Sequence, residues 1–403
     1  MMFTNYLIPS VAMGAGYEAP AVTALHAQKD GSLLCGLSFS KPQMFRVKFV
    51  DGQAVFEDLA KTADFDDGVL AVVHGLRASN SGDTSLCVLH NGMLPGFLGG
   101  SVRGKKGQDL LDHLEKNEGG LGLQVRHSIV QLADQKVMAR RFKDPGMLWD
   151  VIHVGAHMYG AGSRSIWREP YLNTEKREVM RKDLGLNRVV STDADGNFWF
   201  ADENHRLMRM GLSDIKPKRT PLKLPDDSGI FDSSASFTDG WLYLVCESAK
   251  AVIRVRMNPV SREEESQRVC SFDRRIGGIC AVDDPRVSKL FIAVDKDGGF
   301  ELHALALKKS DDPEMVPPVP PVELVATHSG VEVVNSLTAS FSPIVTVDAS
   351  HDQDPSDAPR NHEVPIEAWE KHPRPKLWVG EGYLGWGRDS KDSKPRIVEI
   401  AGL

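Results

Sequence analysis

Four short stretches carry side chains whose types and spacing chemistry can use. Gly99-Gly100-Ser101-Val102-Arg103-Gly104-Lys105 has the spacing of a phosphate-binding loop, in which glycines free backbone N–H groups and a lysine neutralises charge. That chemistry next needs Ser or Thr to hold magnesium. Lys106 stands there, so the stretch reads as a flexible basic loop. His153 and His157 would share one face of a single strand, as a metal site or a channel lining requires. His351-Asp352-Gln353-Asp354 offers alternate oxygen donors, but the glycine turn and closing glutamate of a calcium loop are missing, which leaves a solvated acidic loop. In Glu381-Gly382-Tyr383-Leu384-Gly385-Trp386-Gly387-Arg388, aromatic and guanidinium groups stand where a strand connection should be polar. Tyr383, Trp386 and Arg388 are therefore candidate partner-binding anchors. The alternative is that they cover the neighbouring segment that holds Ile366 and Trp369.

The elements that must position these residues are strands. At Asp195-Gly196 a turn precedes the apolar run Asn197 to Ala201, a polar connection and the alternating run Leu207 to Met210. Asp239-Gly240, Trp241 to Cys246 and Ala251 to Met257 repeat that layout. Strand–turn–strand units recurring every roughly 40–50 residues indicate a β-propeller or a related array. The chain reads as one all-β domain over residues 1–403, a seven-bladed propeller with six blades as the alternative. The last unit shows three strands ending in Arg396 to Ile400. Phe3 to Ile8 fits no place in the first, so the N-terminal strand is expected to complete the last blade and close the ring. Two long insertions, at about 99–126 and 349–375, should project from it. Short helices are expected at Gln108 to Lys116 and at Glu175 to Leu184, the latter capped by Thr174 and stopped by Gly185.

Bulk properties narrow the functions. A net charge of −7 offers no basic stripe for nucleic acid. No apolar run approaches membrane-spanning length, and Met1 to Pro20 has no secretory pattern. The five cysteines form no CxxC pair, and Cys35 and Cys246 sit inside apolar strands, as buried thiols of a cytoplasmic protein would.

The run Ala194-Asp195-Gly196-Asn197-Phe198-Trp199-Phe200-Ala201-Asp202-Glu203-Asn204-His205-Arg206-Leu207 resembles the repeat of NHL-type propellers. The wider pattern is similar to calcium-dependent lactonases of the gluconolactonase type, which ring a central channel with a Glu and several Asn or Asp residues. That resemblance implies Glu18, Asn187 and Asn335 as calcium ligands, the cation polarising a lactone carbonyl and activating water. Gly277-Gly278 stands where the family has Asn-Gly, and Leu186-Asn187 where it has Pro-Asn. The alternative reading is that these polar residues satisfy backbone groups at blade junctions. The expectation is a non-catalytic scaffold that binds protein partners and needs no cofactor. A calcium-dependent lactonase-type hydrolase is the alternative.

Overall fold

The computed structural model describes residues 1–9, 12–13, 21–28, 30–38, 40–41, 44–58, 70–78, 85–93, 124–131, 136–142, 148–154, 157–162, 166–170, 178–181, 191–192, 197–201, 207–211, 231–236, 240–246, 249–258, 260–261, 263–282, 284, 286–307, 316–330, 333–340, 373–382 and 395–403. Among them every regular element is a strand. Strand β1 (Met2–Leu7) comes first, and β2 (Ala12–Met13) pairs with β5 (Ser40–Lys41) as a short ribbon. β3 (Ala21–Ala27), β4 (Leu33–Ser38), β6 (Met44–Val50) and β7 (Gln53–Asp58) form an antiparallel meander. β8 (Leu70–Ala78), β9 (Ser85–Met93), β10 (Gln124–Gln131) and β11 (Lys136–Phe142) form the next, joined to the first by the single bridge Ser38↔Val72.

The meander pattern then repeats along the chain. β12 (Leu148–Val154), β13 (His157–Gly162), β14 (Ile166–Pro170) and β15 (Glu178–Arg181) form one sheet. β16 (Ser191–Thr192), β17 (Asn197–Ala201) and β18 (Leu207–Gly211) form a shorter one. Two more follow: β19 (Phe231–Ser236), β20 (Leu242–Cys246), β21 (Ala251–Met257) and β22 (Glu264–Ser271), then β23 (Ile276–Val282), β24 (Lys289–Lys296), β25 (Gly299–Ala306) and β26 (Glu323–Ser329). The last sheet has the order β1-β29-β28-β27, with β27 (Val334–Ala339), β28 (Leu377–Glu381) and β29 (Arg396–Ala401).

The turns explain the meander. At Asp30-Gly31 the glycine has φ +81°, and the Asp30 carboxylate accepts from the Ser32 N–H at 3.0 Å and the Ser32 hydroxyl at 2.6 Å. An Asp side chain with a glycine in the left-handed region reverses the chain in few residues. This turn joins the first and second strands of its sheet. The strand that follows it, β4, is therefore the second strand of the first sheet, behind β3.

Among the described residues, neighbouring sheets bury facing surfaces against each other. Val282, Phe291, Phe300 and Leu302 pack on Val334, Leu377, Val379 and Val398 of the closing sheet. Tyr243, Val245 and Val252 pack on Ile279, Leu290 and Ile292, and Trp199 and Leu207 pack on Leu242, Leu244 and Ile253. Ile8, Trp378 and Ile397 pack on Val22, Leu25, Phe45 and Val47, so the last sheet meets the first and the ring closes. A strand sandwiched between two neighbours is apolar on both sides, hence the continuous burial of Leu290 to Val294.

The expected closure is present in register, from Met2↔Ala401 to Leu7↔Arg396. Alternate residues of β1 grip opposite neighbours. Phe3 stacks on His328 at 4.7 Å and meets Phe300 edge-on, while Tyr6 packs on Phe49 at 5.1 Å. Phe49 in turn stacks on Trp378.

Three expectations are corrected. Within the helix expected over Glu175 to Leu184, Glu178–Arg181 is strand β15, in which Glu178, Val179 and Arg181 pair with β14, so sheet pairing overrides the capping signal. The insertion expected at 99–126 ends by Gln124, where β10 begins. His153 is the penultimate residue of β12 and His157 begins β13, in the register His153↔Met158 and Val154↔His157, so the two do not share one strand. The helix expected at Gln108 to Lys116 lies outside the described residues. Cys35, Cys246, Cys270 and Cys280 form no disulfide, and Cys35 and Cys246 are buried. Burial pushes the Cys270 thiol up to about 11 and the Cys280 thiol to about 12.

Candidate functional site

The first strands of the sheets line the axis, since β19, β23, β27, β3, β8 and β12 touch one another in that order. Their starting ends lie side by side: a Cβ added at Gly277 of β23 would fall 2.5 Å from Val334 of β27. Each of these six strands is out of step with its second strand by one residue. The extra residues are Thr23, His74, Trp149, one of Asp232 and Ser233, Gly277, and Asn335. A bulge unpairs a residue and turns the strand locally, which is how sheets re-aim side chains near sites.

Asn335 is the candidate ligand that the described residues include. Its Nδ2 donates to the Gly382 carbonyl at 2.8 Å, and its buried Oδ1 has no hydrogen-bond partner among the described residues. Next to it, the Ser336 hydroxyl is buried in the same condition. The backbone of Val334 is clamped from the neighbouring sheet. Arg275 donates to its carbonyl at 2.8 Å, its N–H donates to Asp295 at 3.1 Å, and Arg275 and Asp295 pair at 3.1 Å. Glu381, opposite Val334 and nearly fully buried, faces Arg396 Nε at 3.4 Å.

Gly382 immediately precedes Tyr383, so this cluster roots the segment that carries the predicted anchors. The Gly382 N–H also donates to the Val333 carbonyl at 3.2 Å. The other long connection of the closing sheet, between β27 and β28, is rooted at the opposite end of the strands. There Ser340 and Lys376 exchange two hydrogen bonds, at 2.9 and 2.8 Å. Arg286, held by the buried Asp284 at 2.8 Å, donates to the Pro373 carbonyl at 3.2 Å. Lys376 pairs with Glu399 at 2.7 Å, and Tyr6 donates to the same carboxylate at 3.2 Å. Burial and the Glu399 charge push the Tyr6 hydroxyl up to about 12.

Glu18, Asn187, Tyr383, Trp386 and Arg388 lie outside the described residues. The sequence reading passed over Arg275, Asp295, Asp284 and Arg286. Their available signal was a charge closing an apolar run, as Asp295 closes Leu290 to Val294. Gly277 stands where the lactonase pattern has Asn because no side chain fits against Val334. Among the described residues no group of three or more His, Cys, Asp or Glu is placed to hold a metal ion.

No protein-family model matches the chain. No curated protein matches it. Solved structures do. Virginiamycin B lyase from Staphylococcus aureus superposes with a TM-score of 0.55 at 9% identity, covering 99% of this chain and 100% of that one. A streptogramin B lyase gives 0.56 at 9%, covering 99% and 98%. A chain of the mitotic checkpoint complex gives 0.55 at 8%, covering 98% and 92%. Neighbours so distant in sequence, two of them lyases and one a component of an assembly, share an architecture and nothing finer. The chain is a β-propeller.

Proposed function

We propose that this chain is a non-catalytic protein-interaction platform, a seven-bladed propeller of the cytoplasm that offers the two long connections of its closing blade to protein partners. The blade count takes the first two meanders, joined by one bridge, as separate blades. One observation carries the reading: both connections leave the blade from roots pinned by side chains of other strands. Asn335 and the Arg275–Asp295 pair hold one root, and Arg286 with Asp284 holds the other. Fixing the base of a loop lowers the entropy it loses on binding, which favours recognition over turnover. Tyr383, Trp386 and Arg388 are the anchors in this reading.

The test is recovery of a stoichiometric partner from the native host. Tyr383→Ala with Trp386→Ala should cut that recovery at least about thirtyfold, as loss of a buried aromatic anchor worth ~2 kcal/mol does. Undiminished recovery with the folded double variant would end the proposal.

A second reading, a calcium-dependent lactonase-type hydrolase, has the buried, unpartnered Oδ1 of Asn335 in its favour, a hard oxygen donor of the kind calcium takes. Glu18 and Asn187 would be its companions. It requires that calcium raise the melting temperature and that Glu18→Gln abolish the rise.

A further inference from the structure

We infer that the proline-rich connection between β25 and β26 is an interaction surface of its own, a polyproline ridge that fits a partner domain whose groove is lined by aromatic side chains. The run is Val316-Pro317-Pro318-Val319-Pro320-Pro321-Val322, and it belongs to no strand. Each proline fixes its own φ at about −65° and keeps the residue before it extended, which holds residues 316, 317, 319 and 320 in the polyproline range. The burial of the side chains follows the three-residue turn of that helix. Pro318 and Pro321 are exposed, whereas Pro317 and Pro320, and Val319 and Val322, are half-buried. A strand would instead group Pro318 with Pro320. Val322 packs on the core formed by Tyr243, Leu290 and Ile292, so the ridge of Val319 and Val322 faces the protein and that of Pro318 and Pro321 faces solvent.

The neighbouring blade grips this run from beneath. Arg254, buried in β21, lies over the Trp241 ring at 4.3 Å and donates to the Pro317 carbonyl, while its Nε donates to Gln267 at 2.9 Å. Further along, nothing among the described residues donates to the carbonyls of Pro318, Val319, Pro320 or Pro321. A polyproline helix makes no hydrogen bonds within itself, so these acceptors face outward for another molecule's donors. An aromatic groove takes this combination: proline rings slot between its side chains, and its indole N–H or phenol O–H groups bond the carbonyls. A run already fixed by its prolines and by Arg254 has little entropy left to lose on docking. Leu324, 54% exposed, adds an apolar side chain three residues beyond Pro321. Asp311, Asp312 and Glu314 precede the run and Glu323 follows it, so the fitting groove carries Lys or Arg at its rim. This surface lies on the blade before the closing one and stands or falls independently of Tyr383 and Trp386.

The experiment is calorimetric titration of the full-length chain with isolated WW, SH3 and EVH1 domains that carry Lys or Arg at the groove rim. At least one should bind at ~1 mM or tighter, and more weakly as salt rises. Pro318→Ala and Pro321→Ala should each weaken it about tenfold or more, with the urea midpoint little changed because both side chains are exposed. Val319→Ala, on the inward ridge, and Arg274→Ala, on an exposed pair with Asp297, should leave binding unchanged. Failure of every domain to bind the folded chain overturns the proposal, and so does binding that survives both proline substitutions together.

Discussion

The side-chain amide of Asn335 donates to the carbonyl of Gly382 across 2.8 Å, tying the bulge at the start of β27 to the last residue before the Tyr383 to Arg388 segment. Asn can offer a donor to that carbonyl where Asp cannot. Asn335→Ala should therefore cost about 1 kcal/mol, the usual net worth of one hydrogen bond. Asn335→Asp should cost more, since it sets a carboxylate against a carbonyl. Urea midpoints give the ranking. Faster amide exchange at Gly382 would place the effect at the root of the loop.

Ring closure rests on a strand that is mostly exposed along its length yet grips both neighbours. Phe3 reaches Phe300 and His328 on one side, and Tyr6 reaches Phe49 and Glu399 on the other. Removing residues 1–8 should lower the melting temperature sharply and leave the β29 edge unpaired. Phe3→Ala and Tyr6→Ala should each cost about 1–3 kcal/mol. Nearly equal effects would mean that β1 seals the ring through both of its faces. A truncated chain that melts like the intact one would mean that the pairing contributes nothing.

Much of this architecture was legible in the sequence because its causes are local. Asp-Gly turns, period-2 alternation and a final unit one strand short come from neighbouring residues, and they gave the strands and the closure. The helix expected over Glu175 to Leu184 failed because Glu178–Arg181 owes its state to pairing with β14, a partner that no local pattern reveals. The axial bulges were hidden for the same reason: Thr23 counts as extra only once Val22 is set opposite Leu37 and Ala24 opposite Gly36. The clamp of Arg275 and Asp295 on Val334 joins residues far apart in the chain.

Gly277 gives a sharper test of blade packing. A Cβ there would lie 2.5 Å from both the Cβ and the carbonyl oxygen of Val334. Gly277→Ala should cost about 1–3 kcal/mol, as overpacking of a tight interior does. Trimming the neighbour with Val334→Ala should not rescue it, because alanine keeps both the Cβ and the carbonyl oxygen that the new Cβ would strike. Restored stability in the double variant would show that the strands separate readily at this point.

His328 makes the closure sensitive to pH. Burial, with the nearby Arg396 charge, holds its imidazole below the ordinary value of 6.5, while its Nε2 lies 3.2 Å from Asn5 Oδ1 and its ring stacks on Phe3. A histidine whose folded pKa is depressed binds fewer protons folded than unfolded. Its contribution is therefore complete above 6.5 and is lost as pH falls through 6.5 towards the folded value. Stability to urea should decline between about pH 7.5 and about pH 5.5, the range in which histidine titrates. His328→Gln should be less stable at the upper pH, having lost the ring stack, and should show a flatter decline. Other titrating groups contribute equally to both proteins, so the difference between the two profiles isolates His328. Parallel profiles would mean that protonation of His328 costs the closed ring nothing, and that the stack on Phe3 is the whole of its contribution.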